Sequence, residues 1–396
     1  MEEVKKLASK FDYGAKYTYT SAMKYLERYL FKHIKRDLQK KMVFLGGPRQ
    51  VGKTTLALGL LDSSKKIGYL NWDIAKDRES FLKHELSNTP LWVFDEIHKY
   101  RGWRTYLKGV FDQFKDQKKI LVTGSARLDF YRHGGDSLQG RYYYYRLHPL
   151  SFAELKMKTA DELQKLLTLG GFPEPFFSGS LVESQRWRRE YRTRLIQEDL
   201  LSLERVHDIG NLELLLLRLP ELLGSPLSIN GLREDLQVSH KTLSHWLTIL
   251  ERLYAIFRLS PFGSPKIRAV KKEQKHYHFD WTVASDPAMR FENLVACHLL
   301  KWVHFRQDVK GENIELRYFR DIDGREVDFI VEKDKEPILA IECKLSDKEI
   351  SKSLMYFKEK WKNCEAWQIS STGEKDYLTR QGIYVVPATK FLKCLV

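Results

Sequence analysis

The sequence predicts an α/β protein whose first half is built on a parallel sheet with helices on both faces. Three observations predict it. Short apolar runs alternate with helical stretches between Met42 and Leu147, a glycine-rich loop separates the first run from a helix, and the third run ends in two adjacent acids. Strands that alternate with helices are joined by crossovers, which favour parallel pairing.

The first strand is Met42–Leu45, followed by the glycine loop and a helix from Gly52. Ile67–Trp72 reads as the second strand, Leu91–Phe94 as the third, Ile120–Val122 as the fourth and Tyr143–Leu147 as the fifth. Ahead of them, residues 23–40 set Leu26, Tyr29, Leu30 and Ile34 among Arg28, Lys32, Lys35 and Arg36, the pattern of a basic amphipathic helix. Residues 1–22 are polar and tyrosine-rich and read as an N-terminal arm.

A chain of 396 residues is too long for one ordinary core and implies two to four units. Its 43% hydrophobic content excludes a disordered chain. The net charge of +15 points to a polyanionic partner, most often nucleic acid. Cys297, Cys343, Cys364 and Cys394 form no C-x-x-C pair, which argues against zinc ribbons and dithiol redox chemistry and suits a reducing cytoplasm. The most apolar run, Leu212–Leu217, is broken by Glu213, so no membrane span is expected.

The segment Gly47, Pro48, Arg49, Gln50, Val51, Gly52, Lys53, Thr54 fits G-x-x-x-x-G-K-[ST], and Thr55 follows it. Glycines let backbone N–H groups curl around phosphate oxygens, and the helix N-terminus adds partial positive charge. Lys53 is placed to reach the β- and γ-phosphates of ATP, and the Thr54 hydroxyl to bind Mg²⁺. Asp95, at the tip of an apolar strand, completes the metal site. Glu96 is the candidate general base that polarises water. Thr123 and Ser125 put hydroxyls at the next strand tip, beside the same crevice, where either can read the γ-phosphate.

The motifs GGPRQVGKTTLA, YLNWD, VFDE, TGSA, SLQGRYYYYRLHPLSFAE and GGFPEPF resemble those of prokaryotic AAA+-like ATPases with a C-terminal domain of uncharacterised function. The resemblance covers nearly the whole chain. It implies a P-loop NTPase core over 23–150 and a helical lid over 151–225. It also implies a ring, most often a hexamer, in which an arginine of one subunit completes its neighbour's site. Arg141 is the candidate finger and Arg127 the second choice. Among Arg186, Arg188, Arg189, Arg192 and Arg194, one can serve as sensor 2, the others forming a solvated basic face.

Residues 226–264 read as a winged helix. Leu232 and Leu236 suit one short helix, and Leu243, Trp246, Leu247, Leu250 and Leu253 the stripe of a second, with Ser239 as N-cap and Ala255–Leu259 as wing strand. A recognition helix would present His240, Lys241, Ser244 and His245, a set suited to phosphates more than to base readout. Residues 265–396 turn α/β again. Asp328 falls on one strand, and Glu342 and Lys344 share a face of the next. With Glu292 on a preceding helix they resemble the PD-(D/E)xK site of restriction-endonuclease-like folds. Lys266, Arg268, Lys271, Lys272 and Lys275 lie just upstream, where they can track phosphates.

The reading is a Mg-dependent ATPase acting on DNA. Two alternatives stand beside it: an ATP-dependent metal nuclease, and an ATP-driven switch that binds protein partners.

Overall fold

The computed structural model describes residues 26–61, 66–124, 138–200, 208–263 and 274–396. Ser125, Arg127, Lys266, Arg268, Lys271 and Lys272, and the arm over 1–22, lie outside the described residues.

The first layer is a parallel sheet in the order β2-β3-β4-β1-β5. Its strands are β1 (Met42–Gly46), β2 (Tyr69–Asn71), β3 (Leu91–Asp95), β4 (Lys119–Thr123) and β5 (Tyr142–Arg146). The helices around it are α1 (Phe31–Asp37), α2 (Lys53–Leu60), α3 (Ala75–Lys83) and α4 (Trp103–Phe114). Every residue of β1 and β3 is buried, as strands covered on both faces must be. One face packs Phe44, Phe94 and Val122 on Trp103 and Leu107, the other Val43, Val93 and Leu121 on Leu56 and Ile34.

Two expectations for this layer need correcting. The helix expected over 23–40 begins only at Phe31, because Tyr29 spends its N–H on the Glu154 carboxylate (2.9 Å) instead of entering a helix. The second strand is shortened to Tyr69–Asn71 by a 3₁₀ turn over Lys66–Gly68.

A helical layer follows: α5 (Ala160–Leu169), α6 (Pro173–Ser178), α7 (Leu181–Arg194), α8 (Ile209–Arg218), α9 (Ile229–Asp235) and α10 (His240–Arg252). Ser239 caps α10, its hydroxyl accepting from the Thr242 N–H (3.0 Å). Strand β6 (Ile256–Leu259) pairs antiparallel with β7 (Lys275–His278). This hairpin crosses residue 264, where the sequence placed a boundary, because the apolar face of β6 finds its partner only at Tyr277 and its neighbours.

The third layer begins with the 24-residue α11 (Pro287–Lys310). It then builds a six-stranded mixed sheet in the order β12-β13-β11-β10-β9-β8. The elements are β8 (Ile314–Arg320), β9 (Glu326–Lys333), β10 (Glu336–Lys344), α12 (Lys352–Lys360), β11 (Glu365–Ser370), β12 (Tyr377–Leu378), β13 (Ile383–Pro387) and α13 (Ala388–Leu392). Strands β8, β9 and β10 run antiparallel to their neighbours, and β10, β11 and β13 run parallel. Among the described residues no helix is long and apolar enough to cross a membrane.

Candidate active site

The P-loop leaves β1 at Gly46. Gly47 has φ 138°, and a Cβ there would lie 2.3 Å from the Leu147 carbonyl oxygen, so only glycine fits. Gly52, at φ 98°, turns the chain into α2. Lys53 is buried and donates from Nζ to the carbonyls of Gly47 (3.0 Å) and Pro48 (2.7 Å). Its ammonium thus stays inside the loop, where phosphate oxygens can replace those carbonyls. Gln50 adopts φ 60°, and its Oε1 is buried without a hydrogen-bond partner, as if the loop were shaped around a further donor.

Parallel register brings the second cluster together. Leu45 pairs with Thr123, and Thr123 with Asp95, so these strand tips share one edge. The Asp95 carboxylate accepts from Thr54 Oγ1 (2.9 Å), Tyr69 Oη (2.7 Å) and Thr123 Oγ1 (2.6 Å). Three hydroxyl donors hold it at the mouth of α2. Burial and then the Asp95 charge raise the Tyr69 phenol above its ordinary value, so it stays a donor. Glu96 follows at φ 57°, a left-handed conformation that turns its side chain away from the strand. Its carboxylate lies 3.5 Å from His98 Nε2 and 3.3 Å from Lys99 Nζ.

Thr123 sits on the cluster itself. Arg141 does not. It precedes β5 at the N-terminal end, about 17 Å along the strand from Arg146, which pairs with Gly46 beside the loop. There Arg141 makes a two-pronged pair with Asp112 (2.9 and 3.1 Å). The lid arginines do not reach the P-loop either. Arg186 pairs with Glu183 (3.0 Å), Arg194 with Glu190 (3.3 Å) and Arg188 with Asp280 (3.6 Å). The core face of α7, Ser184, Trp187 and Tyr191, points into the helical layer, so the sensor 2 expectation has no support within one chain.

Sequence reasoning missed Tyr69 and a buried charge triad behind the loop. Arg28 donates to the Val51 carbonyl (2.7 Å), the His148 carbonyl (2.6 Å) and Glu154 (2.7 Å). Lys301 of α11 reaches the other oxygen of Glu154 (2.6 Å). Burial alone would raise the Glu154 carboxyl, but the charges of Arg28 and Lys301 and their hydrogen bonds hold it at about 2. Burial pulls the Lys301 ammonium down to about 8, against the opposing pull of Glu154, so the triad is charged at neutral pH. Further along α11, Asp308 pairs with Arg146 (2.6 Å). The helix of the third layer therefore docks on the P-loop's supports.

The N-terminal part of α11 carries Glu292 into a second cluster. Lys275 lies 3.9 Å from Glu292 and 2.5 Å from Glu326, and Tyr277 donates to Glu292 (2.8 Å). Asp328 accepts from the Cys343 N–H (2.8 Å), and Lys344 pairs with Glu342 (2.8 Å). Burial, followed by the charge of Asp328, pushes Glu292 up to about 8 and Glu342 to about 7. Burial raises Asp328 as well. Among the described residues no group of three His, Cys, Asp or Glu is arranged as a metal cage. Lys275, only 1% exposed, is committed to these acids, which corrects the expectation that it tracks phosphates. His240, Lys241 and His245 are exposed at the start of α10, with Ser244 half-buried beside them.

Residues 39–156 match the family described as an AAA domain. Residues 160–288 and 289–391 match two families described as domains of unknown function, DUF8612 and DUF4143. An uncharacterised protein of Mycobacterium tuberculosis and one of Mycobacterium bovis are each 25% identical over 245 residues, which is 60% of this chain and 53% of theirs. The chain thus spans about half the length of the curated relatives it matches. Among solved structures, Aeropyrum pernix Orc1 in complex with DNA gives a TM-score of 0.32 at 14% identity, over 68% of this chain and 93% of that one. A Thermotoga maritima RuvB variant gives 0.29 at 18% identity, over 58% and 87%. Scores that low do not equate whole folds.

The parallel sheet, the P-loop and the matched family make residues 39–156 an AAA-type ATPase domain that binds nucleotide.

Proposed function

We propose that the chain is a Mg²⁺-dependent ATPase that acts on DNA. The carrying observation is the Asp95 carboxylate, held by Thr54, Tyr69 and Thr123 at the open end of the loop that encloses Lys53. A hard cation fits there, since a hydroxyl and a carboxylate face each other across 2.9 Å, oxygen donors of the kind Mg²⁺ takes. When bound, Mg²⁺ would neutralise phosphate charge. The chain's own part is positional. Lys53 holds the phosphates, Thr54 and Asp95 orient the metal's shell, Thr123 fixes Asp95, and Glu96 takes a proton from the attacking water.

The DNA half of the reading rests on the net charge of +15 and on α9, α10 and the β6–β7 pair, which we read as a helix–turn–helix with a wing. His240, Lys241, Ser244 and His245 are its phosphate-facing set. In a ring, Arg141 would act only on a neighbour whose P-loop docks beside the start of β5, where Arg141 meets Asp112 of α4.

The test is steady-state ATP hydrolysis with and without Mg²⁺ and duplex DNA. Lys53→Ala is expected to lose nucleotide binding, and Glu96→Gln to keep binding and lose most turnover. Wild-type turnover in Glu96→Gln overturns the base assignment. DNA affinity is expected to fall with salt at about −0.9 in log–log slope per phosphate contact. No binding at low salt overturns the DNA reading in favour of a protein-partner switch.

A second reading, metal-dependent cleavage, is favoured by Asp328, Glu342 and Lys344 on β9 and β10 beside Glu292 of α11, in the αβββ order of PD-(D/E)xK folds. Plasmid nicking with Mn²⁺ that disappears in Lys344→Ala supports it.

A further inference from the structure

The face of α7 that turns away from its core contacts is not solvated surface throughout. Trp187 and Tyr191 stack on each other and pack at a tilt on Phe172, with ring centroids 4.8 and 5.2 Å from Phe172, and fix the rotation of the helix. That rotation sets Arg188, Arg189 and Arg192 along one wall of a cavity of about 420 Å³. Tyr254, Phe279 and His278, at the base of the β6–β7 hairpin, line it as well, as does Glu221.

Three features mark a built site. First, His278 is 5% exposed, lines the cavity, and leaves Nε2 without a hydrogen-bond partner, a costly arrangement unless a ligand or water completes it. Second, among the described residues Arg189 and Arg192 have no acidic partner. Arg188 has only Asp280 at 3.6 Å, and both Arg188 Nε and Asp280 Oδ2 remain without a hydrogen bond. Third, the Phe279 and Tyr254 rings pack edge to face (5.3 Å) and add aromatic surface to the same cavity. The volume lies in the range of small-molecule sites.

We infer that this cavity binds a small organic phosphate carrying a planar ring, of mononucleotide size. Guanidinium groups pair with phosphate through two parallel hydrogen bonds and also stack on rings. The Phe279 and Tyr254 rings supply the aromatic surface against which the ring packs. The site is separate from the P-loop and does not depend on the proposed action on DNA. Its floor includes Val283 and Ser285, which lead into α11 and so toward Lys301 and the P-loop's supports. A ligand here is placed to bias that helix.

The experiment is equilibrium dialysis of full-length Lys53→Ala protein, whose P-loop is emptied, against radiolabelled AMP. The same titration is run with Arg189→Ser and Arg192→Ser added. Both arginines are exposed, so the added substitutions leave the fold intact, as circular dichroism checks. One saturable AMP site per chain is expected, weakened at least about tenfold by the two serines. Adenosine and ribose 5-phosphate, each lacking half of the recognised chemistry, are expected to compete more weakly than AMP. Absence of saturable binding overturns the inference. So does binding that the serine pair leaves unchanged, which would place the nucleotide elsewhere on the chain.

Discussion

Arg28 donates from Nη1 to the Val51 carbonyl at 2.7 Å, which fastens the P-loop backbone to a residue outside the nucleotide site. The same guanidinium meets Glu154 at 2.7 Å, and Glu154 meets Lys301 of α11 at 2.6 Å. Loop geometry and interdomain docking therefore depend on one buried carboxylate.

The first prediction concerns that arginine. Arg28→Met removes three hydrogen bonds and leaves Glu154 with Lys301 and the Tyr29 N–H. Breaking a buried pair from one side costs about 3–5 kcal/mol, because the remaining charge stays buried. Denaturant unfolding should show that loss, and nucleotide titration should show weaker ATP binding. Arg28→Lys should rescue neither fully, since an ammonium cannot span Val51, His148 and Glu154 at once. Unchanged ATP affinity in Arg28→Met would show that the loop holds its shape unaided.

The second prediction is a pH dependence. Glu154 sits at about 2 in the folded chain against a model-compound value of 4.5. Between those values the unfolded chain binds more protons, so stability is full above about pH 4.5 and falls as pH drops toward 2. The shift corresponds to about 3 kcal/mol. Unfolding measured from pH 7 to 3 should show this decline in wild type, and Glu154→Gln should lack that component. Identical profiles would mean that other carboxyls govern acid unfolding.

The nucleotide site was legible in sequence because its chemistry is local. Gly47 to Thr54 are contiguous, and Asp95 ends an apolar run whose burial the composition announces. What stayed hidden is long-range. Arg28 lies 126 residues from Glu154, and its helical spacing resembles that of a solvated arginine. Tyr69 shares the YLNWD run, but only the pairing of Asn71 with Asp95 reveals that its hydroxyl turns toward the carboxylate. Lys275 was misplaced for the same reason. Nothing near it in sequence shows that Glu292 and Glu326 will bury it.

The third prediction isolates Tyr69. Tyr69→Phe keeps the ring and deletes one of three donors to Asp95. A hydrogen bond to a charged group contributes about 1.5–3 kcal/mol, or roughly tenfold to a hundredfold in an equilibrium. Turnover should therefore need more Mg²⁺ in Tyr69→Phe, with the melting temperature little changed. A wild-type Mg²⁺ dependence would leave Thr54 and Thr123 sufficient to orient Asp95.

The last prediction sets stability against function at the second cluster. Glu292, Glu326, Asp328 and Glu342 share a small volume, balanced among the described residues by Lys275, Lys344 and, 3.8 Å from Glu326, Arg320. Burial and mutual repulsion raise Glu292 to about 8 and Glu342 to about 7, from 4.5. The folded chain then holds more protons than the unfolded one between about pH 4.5 and 8, so these groups lower stability as pH rises through that window. Asp328→Asn removes the charge that acts on both glutamates, while its side-chain oxygen can still accept from the Cys343 N–H. It should raise the melting temperature of the third layer by about 3 °C at pH 8 and by less at pH 5. A cluster kept at a stability cost is one that function requires, so the same variant should lose DNA affinity or metal-dependent nicking. A variant that melts higher and keeps both activities would mark the four acids as remnants, and one that melts lower would show that Asp328 is held charged by Lys275 and contributes to the fold.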